Sequence, residues 1–151
     1  MNYFDQEIPY EPKLLHFDAE TRQTFTDVTG ILVSEFDDIA IFTSITTAPH
    51  LAVADDRTEA SIVYGDITFA CVHMRDVQPA VVTAGYFLKY IDMGVLSTTG
   101  AWYASSGAPL VDAKTMTVIG MIYRFNGFIR SDDLVAVPAS KIRLLLEKYG
   151  H

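Results

Sequence analysis

Ser105-Ser106-Gly107-Ala108-Pro109-Leu110-Val111 puts two hydroxyls at a turn of small residues immediately ahead of an apolar, β-branched run. A nucleophilic serine needs such a turn, because a substrate carbonyl must approach closely and neighbouring backbone N–H groups must be free to hold an oxyanion. A plain surface loop is the alternative reading of the same residues. On either side, short β-branched and aromatic runs are broken by Gly, Asp and Asn, the pattern of an all-β sandwich or barrel. Strands are expected over Lys13–Phe17, Thr24–Val33, Ile39–Ser44, Ala60–Tyr64, Ile67–Val72, Ala80–Ala84, Tyr86–Ile91, Val95–Thr98, Thr117–Tyr123 and Leu134–Val137. Tyr64-Gly65-Asp66 and Phe125-Asn126-Gly127-Phe128 carry turn signals. After Pro138 the period changes. Ile142, Leu145, Leu146 and Tyr149 recur at helical spacing, with Lys141, Arg143, Glu147 and Lys148 expected to face water.

The chain has 151 residues, half of them hydrophobic, enough for a real core. Eleven basic against nineteen acidic residues leave a net charge of −8, which is no footprint for phosphate backbones or anionic lipid. Nucleic-acid and membrane partners are not expected. The single cysteine, Cys71, suits a reducing compartment. Met1–Glu7 carries acids where an export signal would carry Lys or Arg, so a cytoplasmic location is expected. The polar stretch Ala54–Glu59 divides the chain into expected domains 1–56 and 57–151.

Ser105–Val111 resembles the Asp-Ser-Gly-Gly-Pro-Leu-Val box around the nucleophile of trypsin-like serine proteases. Val118-Ile119-Gly120-Met121-Ile122 is similar to the strand lining that family's substrate pocket, and Leu134–Ile142 looks like the segment leading into the closing helix of HtrA-type members. Upstream, Asp38-Ile39-Ala40-Ile41-Phe42 resembles the pattern carrying the triad aspartate, and Val63–Ile67 the entry to the second barrel. The resemblance covers roughly residues 13–149. It implies a chymotrypsin-like double β-barrel with a truncated first barrel, as in HtrA-like or compact viral relatives, and a C-terminal helix.

The resemblance makes Ser106 the nucleophile of a serine endopeptidase acting on a polypeptide, with no cofactor or metal. The N–H groups of Ala104 and Ser106 would form the oxyanion hole, and Asp38 would orient a histidine. Asp37 takes that place if the register slips by one. His16 is the histidine that precedes Asp38 and so preserves the His, Asp, Ser chain order; it equally fits an ordinary strand position. Gly100 falls at the pocket floor, with Met121, Ile122 and Tyr123 along the pocket.

Two departures point toward a catalytically inactive binding or structural module. Ala104 stands where the family has Gly, and no Thr-Ala-Ala-His type segment surrounds His16. A piece of a longer protease with its histidine upstream of Met1 is the third possibility. His50 reads as a loop residue, and Cys71 with His73 as two side chains on one sheet face. The paired acids Asp37-Asp38, Asp55-Asp56 and Asp132-Asp133 lack the alternation of a calcium loop.

Overall fold

The computed structural model describes residues 13–17, 23–34, 39–44, 50–72, 81–91, 94–99, 106–125 and 134–149. Its elements are β1 (Lys13–Phe17), β2 (Gln23–Ser34), β3 (Ile39–Ser44), α1 (Asp56–Ser61), β4 (Ile67–Val72), β5 (Val81–Ile91), β6 (Gly94–Ser97), β7 (Pro109–Asp112), β8 (Thr117–Phe125), β9 (Leu134–Pro138) and α2 (Ala139–Tyr149). The chain clusters into two compact units, residues 1–50 with 145–151, and residues 51–144.

In the first unit β1, β2 and β3 form an antiparallel three-stranded sheet in that order. The β2–β3 register slips at Thr29, between Val28 and Gly30. The hydroxyl of Thr29 donates to the Thr43 carbonyl across the irregularity at 3.1 Å, replacing part of the interrupted ladder.

The second unit is a closed antiparallel barrel, ordered β4-β5-β6-β9-β8-β7 with β7 pairing back onto β4. Closure removes both sheet edges. Alternation fills the interior. Ala70 and Val72 of β4, Val95 of β6, Leu110 of β7, Ile119 and Ile122 of β8, and Leu134 and Ala136 of β9 form one buried cluster with Phe87. Thr68 also points inward, where it would be orphaned without partners. Its hydroxyl lies 2.9 Å from that of Ser97 and 2.6 Å from that of Thr99, which are themselves 2.8 Å apart. Ser97 donates out of this triangle to the Tyr86 carbonyl at 3.1 Å, so the buried hydroxyls are satisfied.

Three expectations are corrected. Ala60–Tyr64 is not a strand: residues 56–61 are helical, because the Asp55 carboxylate caps the Thr58 N–H at 2.7 Å and acids occupy the first turn. The cap bond and the Arg143 and Arg57 charges hold the Asp55 carboxyl below its ordinary range, against some opposing desolvation. Gly85 does not separate two strands but lies within β5. Arg143 does not simply face water. Its guanidinium is mostly covered, donating to the Ala54 carbonyl and Asp56 and reaching Glu59 at 3.4 Å, which ties α2 to α1. The helix α2 itself follows Pro138 as expected, with Leu145 buried and Glu147 and Lys148 exposed.

Tyr90 completes this corner. Its hydroxyl donates to the Glu59 carbonyl at 2.6 Å and its ring packs on Phe87 with centroids 5.0 Å apart. Burial, then the nearby charges of Glu59 and Asp112, push the phenol up to about 12 from 10.0. The folded state therefore holds this proton more tightly than the unfolded chain does. Its contribution is fully present below pH 10 and is lost as pH rises toward about 12. Denaturant midpoints measured across that window should fall more steeply for the native chain than for Tyr90→Phe, which has no proton to lose there.

The β7–β8 hairpin is closed by Asp112, whose Oδ2 accepts from the Thr115 N–H at 2.9 Å and its hydroxyl at 2.7 Å. Met116 sits in the turn at φ 56°, half exposed. A side chain in this left-handed region costs about 1 kcal/mol or more. Met116→Gly is therefore expected to stabilise the protein by roughly 0.5 kcal/mol after the flexibility glycine adds to the unfolded chain, read as a rise in the denaturation midpoint.

Candidate active site

Ser106 stands exposed in a tight turn just before β7. The turn is built from its sequence. Gly107 takes φ +88°, a conformation a side chain would strain, and has open space where a Cβ would stand. The Gly107 N–H donates to the Ile122 carbonyl at 2.8 Å, and the Ile122 N–H donates to the Ala108 carbonyl at 2.8 Å. Ala108 is packed against the barrel core. These two bonds extend the β7–β8 ladder up to the serine, so the barrel wall holds the Ser106–Gly107 backbone while the hydroxyl-bearing residue remains accessible.

Ile122 serves this turn through its backbone, since its side chain is buried in the core. Met121 and Tyr123, the flanking residues of β8, are half-buried. Gly100, Ala104, Ser105 and Asp38 lie outside the described residues, as do Asp37, His73 and His151. His16 lies in β1 opposite Thr24, within the first unit, whereas Ser106 belongs to the second. His50 is exposed. Among the described residues no group of three His, Cys, Asp or Glu side chains could hold a metal ion, and no described helix is long and apolar enough to cross a membrane.

The hydroxyl triangle of Thr68, Ser97 and Thr99 was not singled out by sequence reasoning. Thr99 donates its N–H to Ser97 Oγ at 3.0 Å and Thr98 donates its N–H to the Tyr86 carbonyl at 3.0 Å. The chain is thus anchored to β5 immediately before it enters the segment leading to Ser106. The available signal was the inward parity of Thr68 between apolar inward neighbours on β4, which demands polar partners from another strand.

No family model and no curated protein matches the chain.

Proposed function

We propose that the chain is a trypsin-like serine endopeptidase with Ser106 as nucleophile. The observation that carries this reading is the placement of Ser106. An exposed serine on a glycine-shaped turn, hydrogen-bonded to β8 and opening β7 of a closed six-stranded barrel, supports the role that the Ser-Gly-Ala-Pro-Leu-Val resemblance implies. The barrel's strand order, first-second-third-sixth-fifth-fourth in chain sequence, is compatible with the chymotrypsin-like architecture of that reading.

On the resemblance, Ser106 Oγ would attack the scissile carbonyl and His16 is assigned the role of taking its proton. The same assignment gives Asp38 the role of holding the imidazolium, which would then protonate the leaving amine, and gives the N–H groups of Ala104 and Ser106 the charge on the tetrahedral oxygen. Water repeats the sequence to release the acyl group. By the resemblance Gly100 takes the pocket-floor position and brings no charge to it, so selection of Lys or Arg side chains is not expected.

A second reading, a non-catalytic binding or structural module, is favoured by Ala104. A Cβ there disfavours the glycine-type backbone geometry that aims an N–H into the oxyanion hole. Labelling with a serine-directed fluorophosphonate, mapped by mass spectrometry, separates the two. The endopeptidase reading predicts modification at Ser106 that is abolished in Ser106→Ala and strongly slowed in His16→Ala. No labelling of Ser106 sinks it in favour of the module, and labelling indifferent to His16→Ala removes His16 as the base.

A further inference from the structure

The outward side of the β4–β5 ladder is apolar from end to end. Three cross-strand pairs face away from the barrel interior: Ile67 with Tyr86, Phe69 with Ala84, and Cys71 with Val82. Ile67 and Tyr86 are each 56% exposed and Val82 is 62% exposed. The turn before β4 continues the face. Its backbone joins β5 through the Gly65 N–H to the Phe87 carbonyl at 2.9 Å, and it leaves Tyr64 79% exposed. Outward residues elsewhere on the barrel behave differently: Leu96 of β6, Val111 of β7 and Val135 of β9 are all buried. The exposed apolar face is thus a local property of β4 and β5.

We propose that this face is the self-association surface of the protein and that its occupant is a second copy of the same chain, related by a two-fold axis. Charge favours that occupant. The molecule carries a net charge of −8, yet no charged residue occurs in Ile67–Val72 or Val81–Leu88, so two acidic copies meet here with the least repulsion. Shape agrees. Large rings alternate with small side chains, Tyr86 and Phe69 beside Ala84 and Cys71, so a half-turned copy can seat its rings over the small positions. Size agrees as well. The exposed side chains together present on the order of 500 Å², at the upper end of what monomers leave open, against about 800 Å² per partner in a standard stable complex. A weak, reversible dimer with a dissociation constant in the micromolar range is the consequence.

Sedimentation velocity on the full chain across a concentration series tests this. The native protein should shift reversibly from monomer to dimer. Tyr86→Lys and Val82→Lys each place two like charges in the dimer interface and should weaken it at least about tenfold. Met116→Lys, an exposed apolar site on the β7–β8 hairpin, should leave association unchanged. Circular dichroism establishes that each variant is folded, and either lysine variant suffices if the other is not. A native chain that stays monomeric up to roughly a hundred times the micromolar range overturns the proposal. So does a dimer indifferent to the folded lysine variant, or one equally disrupted by Met116→Lys.

Discussion

Ser106→Ala and Ala104→Gly are expected to move peptidase turnover in opposite directions. On the proposed reading, removing Oγ leaves only binding and the oxyanion donors, and kcat against an unstructured polypeptide should fall roughly 10⁵-fold, to near background. Ala104→Gly should do the reverse. Glycine accepts the backbone geometry that points an N–H at the developing oxyanion, and one such donor is worth on the order of 10²-fold in kcat. The gain should appear in kcat more than in KM, because the interaction is strongest in the transition state. Measured initial rates of the native chain and both variants decide the matter. Loss with Ser106→Ala together with gain with Ala104→Gly identifies a protease with a blunted oxyanion hole. Three indistinguishable rates identify a module that has kept the serine turn without the chemistry.

Gly85→Ala is expected to destabilise the second unit by at least about 3 kcal/mol, well above the usual cost of a single substitution. A Cβ at this position would stand 2.4 Å from the Thr99 nitrogen and 2.6 Å from both the Thr98 carbonyl carbon and Thr99 Cα. The obstacle is backbone and cannot rotate away. Nor can it retreat without loss, since the Tyr86 N–H donates to Thr98 Oγ1 at 2.9 Å and Thr99 Oγ1 belongs to the buried hydroxyl triangle. Guanidinium unfolding should show the full penalty as a lowered midpoint, and the melting temperature should fall by about 10 °C. A variant as stable as the native chain would mean that the Thr98–Thr99 crossing is not rigidly held.

Much of the secondary structure was legible because alternation is a local property. β1, β3 and β4 coincide with the expected runs Lys13–Phe17, Ile39–Ser44 and Ile67–Val72. The turn to α2 was readable from Pro138 and the change of period. The errors share a cause. At 56–61 a capping aspartate overrode the β-branched run that follows it, and at Gly85 a residue that ordinarily punctuates a strand was required inside one by a backbone passing over it. Arg143 was assigned to solvent because its partners, Ala54, Asp56 and Glu59, lie more than eighty residues away in sequence.

The candidate site divides in the same way. The serine, the glycine after it and the strand that follows could be read from seven consecutive residues, since a turn before a strand is written in adjacent side chains. What the tertiary structure alone decided is that β8 supports this turn through Ile122, and that β7 returns to β4 to close the barrel beneath it. Likewise, the apolar runs of β4 and β5 were legible separately, but only the register pairing Ile67 with Tyr86 and Cys71 with Val82 put their outward side chains on one surface. Periodicity depends on near neighbours along the chain, whereas closure, register and burial depend on strands brought together from far apart.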